Sequence, residues 1–373
     1  MRIQKHKVLV TGSRGFIGQN LLVELSSVAS YKVDTFNRGE SFEILESKIL
    51  EADAIIHLAG ENRPSDTKSF DVGNHQLTRL ICEIVEKSQK KIDIIFASST
   101  QAEDNNPYGA SKRAAEKVLC ELEERTRCLV SIYRLPGVFG KWSRPNYNSV
   151  VATFCHNIAN QLPIQIRDPE KPLPLVYIDD VVSSFIATLG SMQAHKKWVS
   201  VEPTYLITPQ SLANQLNSFF DSRNTLVSER VGTGLTRALY ATYLSFLSPD
   251  QFTYSIPFFP DKRGMFAEVL KTHDSGQFSF FTTLPGVTRG QHFHHSKSEK
   301  FLIIKGKARF RFRHLVTGER FEVFTSNDEL KVVETIPGWV HDITNVGENE
   351  MIAMLWANEV FDREKPDTIT SEV

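Results

Sequence analysis

The chain of 373 residues holds only four cysteines, carries a net charge of −1 and has no long apolar run. Each scarcity removes a class of protein. Cys82, Cys120, Cys128 and Cys155 show no CxxC spacing, which argues against zinc ribbons, dithiol redox motifs and disulfide scaffolds. Free thiols in a reducing compartment are the expectation. No apolar stretch approaches the roughly 20 residues that span a bilayer. The stretch from Met1 to Lys7 leads straight into a strand, without a signal-peptide core. A cytoplasmic protein with no membrane insertion is expected. Without a basic tail or a charge run, nucleic acid is not an expected partner. Internal repeats and low-complexity segments are also missing.

What is present fits two domains. A chain of this length exceeds one ordinary core. Its 41% hydrophobic and 23% charged residues are normal for globular protein. Strands are expected at Lys7–Val10, Tyr31–Phe36, Ala54–Leu58, Ile92–Ala97 and Val130–Tyr133. Helices are expected at Phe16–Ser26, Leu77–Glu86 and Lys112–Glu124. This alternation predicts an α/β fold, a Rossmann-type doubly wound parallel sheet. From about residue 255 the pattern changes to short aromatic and β-branched runs: 278–282, 301–304, 308–313, 321–324, 331–334 and 351–356. Turns such as Pro285-Gly286, Lys305-Gly306 and Thr317-Gly318 separate them, which predicts an antiparallel all-β sandwich or barrel. Ser248-Pro249-Asp250 and Pro257 break the helical pattern, so the domains are expected at 1–250 and 251–373.

Thr11-Gly12-Ser13-Arg14-Gly15-Phe16-Ile17-Gly18 joins the first strand to the first helix. In that context Gly12 permits a tight turn, Gly15 admits a pyrophosphate and Gly18 lets helix approach strand. The helix N-terminus adds unpaired N–H groups and a positive dipole end. An acid at the end of the second strand would favour NAD; here Asn37-Arg38 stands after Phe36, and Arg38 suits the 2′-phosphate of NADPH.

Tyr108 and Lys112 lie four apart, on one face of a helix. A neighbouring ammonium is expected to lower the phenol's pKa and ready it for proton exchange. Ser98 and Ser99 follow a strand and come within reach, where a hydroxyl can bond a carbonyl oxygen as it gains charge. Together the TGxxGxxG turn, the serine pair and YxxxK resemble an extended short-chain dehydrogenase/reductase. His57-Leu58-Ala59-Gly60, Asn74, Tyr133–Gly140 and Val176–Val181 agree with it. The resemblance implies a nucleotide-sugar substrate and Ser99 as the active-site hydroxyl, with Thr100 as the alternative. It implies a dinucleotide site of Thr11, Gly12, Gly15, Phe16, Ile17, Gly18, Arg38, Leu58, Ala59, Gly60, Tyr108 and Lys112.

A second constellation lies downstream. His292 and His294 share one face of a strand. Glu299 follows after a turn's length, and His341 arrives from a distant strand. Two or three imidazoles with one carboxylate suit Zn²⁺ or another divalent metal with an open position. His295 points to the opposite face. The pattern resembles the cupin signature, which implies a jelly-roll barrel. Asp261–Phe266 and Thr288–His292 resemble deoxysugar 3,5-epimerases of that fold, in which the histidine after Arg-Gly is a base. His292 therefore stands as either ligand or base.

The order of the two halves resembles the CapF-like family of bifunctional capsular polysaccharide and O-antigen enzymes. Asn106–Gly109, Phe139–Trp142, Pro145–Val150 and Trp356–Glu359 carry that likeness across nearly the whole chain. It implies a homodimer that epimerises a UDP-2-acetamido-2,6-dideoxy-4-keto-hexose at C3 and reduces C4. The implied product is UDP-2-acetamido-2,6-dideoxy-L-talose, on the route to UDP-N-acetyl-L-fucosamine. Two other expectations stay open: a 4-reductase whose second domain only binds, and a non-catalytic NADPH sensor.

Overall fold

A computed structural model describes residues 6–64, 66–191, 195–362 and 364–373. Its chain contacts divide into two units, Met1–Leu216 with Arg237–Leu247, and Asn217–Thr236 with Ser248–Val373. The second unit thus takes in Asn217–Thr236, a segment that a single boundary at 250 assigns to the first.

The first unit opens with β1 (His6–Thr11), α1 (Phe16–Ser27), β2 (Tyr31–Phe36), α2 (Phe42–Glu51) and β3 (Ala54–His57). Next, α3 (Lys68–Phe70) passes through one π turn (Asp71–Gln76) into α4 (Leu77–Ser88). Then come β4 (Asp93–Ser99), α5 (Pro107–Arg125), β5 (Val130–Leu135), β6 (Gly137–Phe139), α6 (Val150–Ala159), β7 (Leu173–Tyr177), α7 (Ile178–Gly190), β8 (Trp198–Val199) and β9 (Thr204–Ile207). One parallel sheet runs in the order β2-β1-β3-β4-β5-β8. A second sheet, β6-β7-β9, has three strands.

Continuous apolar runs make the central strands. Every residue of β3 and β4 is buried, the mark of strands covered on both faces. Leu9, Ile55, Ile94, Phe96 and Ile132 pack with Leu45 and Ile49 of α2, Ile81 and Val85 of α4, and Leu119 and Leu122 of α5. The chain leaves β1 toward β2 on one side and reaches β3 on the other. That reversal opens a crevice beyond the carboxyl ends of β1 and β3, where doubly wound sheets bind ligands. α5 begins earlier than its periodicity predicts. Asn106 caps it by accepting the Gly109 N–H at 2.8 Å, and Pro107 occupies its first turn. Tyr108 therefore sits inside the helix.

α8 (Pro209–Thr225), β10 (Val227–Ser228) and α9 (Gly234–Leu244) follow. α8 and α9 each straddle the division between the units. After a 3₁₀ turn (Pro249–Phe252) the second unit continues as β structure: β11 (Phe258–Asp261), β12 (Gly264–Thr272), β13 (Gln277–Thr283), β14 (Thr288–Phe293), β15 (Glu299–Lys305), β16 (Lys307–His314), β17 (Arg320–Ser326), β18 (Val332–Thr335), β19 (Trp339–Asn345), β20 (Met351–Ala357) and β21 (Ile369–Thr370). One sheet has the order β10-β12-β13-β20-β15-β18, with β11 on β12; the other is β17-β16-β19-β14-β21. Alternation supplies a shared core: Phe281, Phe301, Ile303 and Met351 from the first sheet meet Phe310, Phe312 and Ile343 from the second. No helix among the described residues is long and apolar enough to cross a membrane.

Two candidate sites, one in each unit

In the first unit the glycine turn caps the crevice. Gly12 has φ +71°, and a Cβ there would stand 2.6 Å from the Ala59 nitrogen, so only glycine fits. Gly15 is the N-cap of α1 and offers no capping side chain, while Phe16, Ile17 and Gly18 form the first turn. Its N–H groups are thus left for an anion. Asn37 fastens the turn to the end of β2: its Oδ1 accepts the Arg14 N–H at 3.0 Å and the Ser13 hydroxyl at 3.1 Å. Arg38 is exposed and pairs with Glu61.

Leu58, Ala59 and Gly60 follow β3 directly, and a buried hydrogen-bond chain holds them. The Ala59 N–H donates to Thr11 Oγ1 at 3.2 Å, and Thr11 Oγ1 meets His57 Nδ1 at 2.7 Å. His57 Nε2 meets Thr78 Oγ1 at 3.0 Å, and that hydroxyl donates to the Asn74 carbonyl at 2.5 Å. A carbonyl only accepts, so Thr78 spends its proton there and must accept from His57 Nε2–H. His57 Nδ1 is then the acceptor of the Thr11 hydroxyl. Every member is satisfied only with a neutral ring. Burial, aided by the Lys112 charge, pulls His57 down to about 3. The unfolded ring titrates near 6.5, so its contribution to stability is complete above pH 6.5 and is lost as pH falls toward 3. We expect His57→Gln to flatten the slope of unfolding free energy against pH across that window, read by urea denaturation at several pH values. An unchanged slope removes His57 from this account.

Asn74 stands in the π turn, a bulge that recurs at functional sites. Its amide donates to Ser111 Oγ at 2.9 Å and to the Glu61 carbonyl at 3.1 Å, bracing the loop after Gly60.

Tyr108 is half-buried, with its ring 5.7 Å from that of Phe70. Burial pushes its phenol above the ordinary value, and a hydrogen bond with Ser99 draws it back. The lowering by Lys112 expected from the i, i+4 spacing is not found. The reason lies in Lys112 itself, which is buried and donates to the Ala97 carbonyl at 2.9 Å. Burial brings its own pKa down to about 8, against the pull of Glu116. Ser99 is buried beside Tyr108, while Thr100 is exposed. Ser98 is engaged elsewhere, donating to Glu116 Oε1 at 2.5 Å. Glu116 also takes two bonds from Arg134, at 3.0 and 2.8 Å. These ties bind β4, β5 and α5 around the Ser99–Tyr108 pair. Composition alone gave no sign of them.

In the second unit His292, His294, Glu299 and His341 offer ligand atoms within 4.8 Å of one another, alone in this respect among the described residues. A bulge in β14 aims His292: Gly290 (φ +94°) and Gln291 (φ +62°) are both left-handed. A Cβ on Gly290 would meet the His341 carbonyl at 2.9 Å. His294 follows at the strand end, Glu299 opens β15 and His341 comes from β19. His295 is exposed. The donor set fits a divalent cation. His294 Nδ1 bonds the Asp367 carbonyl and must be protonated, which leaves the Nε2 lone pair facing Glu299 Oε2 at 3.3 Å. Both nitrogens of buried His341, and His292 Nε2, have no hydrogen-bond partner. Buried lone pairs converging on a carboxylate call for positive charge at their centre. Burial and the neighbouring His341 bring His292 down to about 4. Burial alone would raise Glu299, but the His294 and His341 rings beside it and the Lys297 charge hold it well below the usual carboxylate range. Lys297 takes its other oxygen, Oε1, at 2.9 Å. Lys297 and Asp367 carried no signal in the sequence: one reads as a surface lysine, the other as part of a polar tail.

The four cysteines are free thiols.

Residues 8–200 match the NAD dependent epimerase/dehydratase family, and residues 259–369 match the polysaccharide biosynthesis C-terminal domain. The chain is 54% identical over 367 residues to a Pseudomonas aeruginosa protein named UDP-2-acetamido-2,6-beta-L-arabino-hexul-4-ose reductase, covering 98% of this chain and 99% of that one. Among solved structures, the capsular polysaccharide assembling protein CapF from Staphylococcus aureus is 39% identical, with a TM-score of 0.91 over 98% of this chain and 100% of that one. UDP-glucuronic acid 4-epimerase from Bacillus cereus, solved with NAD, is 18% identical with a TM-score of 0.55 over 64% of this chain and 96% of that one, a likeness of fold alone.

Proposed function

The chain belongs to the NAD dependent epimerase/dehydratase family, and from that premise we propose that it is a bifunctional nucleotide-sugar enzyme. The second unit, read as a cupin, epimerises C3 of a UDP-2-acetamido-2,6-dideoxy-4-keto-hexose. The first unit then reduces C4 to give UDP-2-acetamido-2,6-dideoxy-L-talose, on the route to UDP-N-acetyl-L-fucosamine for capsule or O-antigen. The observation that carries this reading is the pairing, in one chain, of the Ser99–Tyr108–Lys112 site with the buried His292–His294–Glu299–His341 cluster. The name of the 54% identical reductase supports the 4-keto sugar as substrate.

Chemistry dictates the order. A hydrogen beside a ketone is acidic because its carbanion delocalises onto the carbonyl oxygen. Reduction at C4 removes that ketone, so epimerisation comes first. Bound NADPH supplies the hydride. Tyr108 gives the proton to the C4 oxygen, Ser99 holds that oxygen as charge develops, and Lys112 fixes the Tyr108 surroundings. A phenol held above its ordinary pKa is protonated at neutral pH, as a proton donor must be. In the second unit His294, Glu299 and His341 would hold Zn²⁺ or another divalent metal, whose charge steadies an enolate. His292 is a fourth ligand or the base; a ring kept neutral suits either role. A homodimer working in the cytoplasm belongs to the same proposal, supported by the family resemblance.

Product NMR tests the whole reading. The keto sugar and NADPH are incubated in D₂O, and the expected product carries deuterium at C3 and the talo configuration at C4. Product without deuterium at C3 rejects the epimerase and leaves a 4-reductase whose second unit only binds. No NADPH oxidation with any keto nucleotide sugar would leave the sensor.

NADPH preference rests on Arg38. We expect Arg38→Ala to raise KM for NADPH at least tenfold more than KM for NADH, since one charge-assisted phosphate contact contributes about 1.5–3 kcal/mol. Equal changes for both cofactors remove Arg38 from the phosphate site.

A further inference from the structure

The loop from His294 to Glu299 carries two of the four converging ligands, yet the partners of its backbone N–H groups lie outside it. Every backbone N–H from His295 to Glu299 is taken by a side chain from elsewhere. Asp367 Oδ1 accepts from His295 N at 2.8 Å, and Oδ2 accepts from Ser296 N and Lys297 N, each at 2.8 Å. The Ser296 hydroxyl adds a bond to Oδ2 at 3.1 Å. Asn358 Oδ1 accepts from Ser298 N at 3.0 Å, and Thr335 Oγ1 accepts from Glu299 N at 3.0 Å. The Asp367 carbonyl oxygen receives His294 Nδ1–H. The Phe361 ring lies 5.7 Å from Lys297 Nζ, the ammonium that grips Glu299 Oε1. One residue, more than seventy positions away, therefore sets the loop's path and the tautomer of His294.

We propose that Asp367 is a positioning residue of the metal centre: it folds the 294–299 loop into a nest and fixes the His294 proton on Nδ1, so that His294 Nε2 and Glu299 Oε2 face a common cation. This rests on the reading that the cluster holds a divalent metal. Asp367 orients the His294 ring through the nitrogen turned away from the cation, as an outer carboxylate does for a zinc-bound histidine. Here the ring's partner is Asp367's own carbonyl, while its carboxylate anchors the neighbouring peptides. Removal of the side chain frees three N–H groups and loosens both ligands together.

The test uses the full chain with zinc as the probe. Zinc affinity is measured by competition with a chromophoric chelator for the parent, Asp367→Ala and Asp367→Asn. Stability in urea is measured on each protein with metal removed. We expect Asp367→Ala to bind zinc about 10–100-fold more weakly. Asp367→Asn, whose amide keeps one accepting oxygen, falls between it and the parent. Affinities equal to the parent's in both variants overturn the proposal, and a drop confined to metal-free stability does the same, because that is the mark of packing alone. A parent chain that binds no zinc beyond a His294→Ala, His341→Ala control overturns the metal reading itself, and is seen before any Asp367 variant is compared.

Discussion

Tyr108→Phe is expected to slow NADPH oxidation by the keto sugar about 10²–10⁴-fold, the range of general acid catalysis. The loss follows from what the substitution removes and what it leaves. The phenylalanine ring keeps the contact with Phe70 at 5.7 Å. Lys112 is held by the Ala97 carbonyl at 2.9 Å, independently of the phenol, so it stays in place. Ser99 still accepts the Gln101 N–H at 3.2 Å. What disappears is the proposed proton donor for the C4 oxygen. KM for the dinucleotide should therefore move little while kcat falls. On the proposed division of labour, exchange at C3 takes place in the other unit and should continue, so deuterium accumulates in unreduced sugar. NADPH oxidation near the parental rate would end the assignment of Tyr108 as the acid.

The features behind that prediction were legible because they are local. A glycine turn between strand and helix, and a tyrosine four residues before a lysine, carry their geometry in their spacing. Their electrostatics were not legible. Spacing alone predicts that Lys112 lowers Tyr108, but Lys112 is itself buried and bonded to β4. Burial is a property of the packed sheet, so it decided the sign. The His57 relay stayed hidden for a similar reason. Its polarity depends on Thr78 giving its proton to the Asn74 carbonyl, a bond that exists only in the folded helix. α2 was missed as well: Phe42, Ile44 and Leu50 are exposed, which blurs the apolar stripe that periodicity seeks. In the second unit, strand alternation marks His292 and His294, a turn's length brings Glu299 and a distant strand brings His341, the pattern that resembles the cupin signature. Asp367 lies beyond any such period, where only the pairing of β21 with β14 delivers it.

The largest effect expected in the second unit comes from His341→Ala. His341 is buried, and neither of its ring nitrogens has a hydrogen-bond partner, so the substitution breaks no bond within the protein. It removes a lone pair from the cluster and the contact of Nε2 with Glu299 Oε2 at 3.5 Å. Zinc affinity should therefore fall by more than the roughly 10–100-fold of an outer-sphere change. Exchange of the C3 hydrogen with D₂O should slow by about 10²–10⁴-fold, because a carbanion beside a carbonyl forms slowly once the balancing charge or the base geometry is lost. Reduction of a sugar supplied with C3 already inverted should keep its parental rate, since Tyr108, Lys112 and Ser99 belong to the other unit. Adding EDTA to the parent chain should reproduce the exchange defect and spare the same reduction. Deuterium entering C3 at the parental rate in His341→Ala would show that the cluster takes no part in epimerisation. The stereochemistry of the sugar would then have to be set before it reaches the reductase.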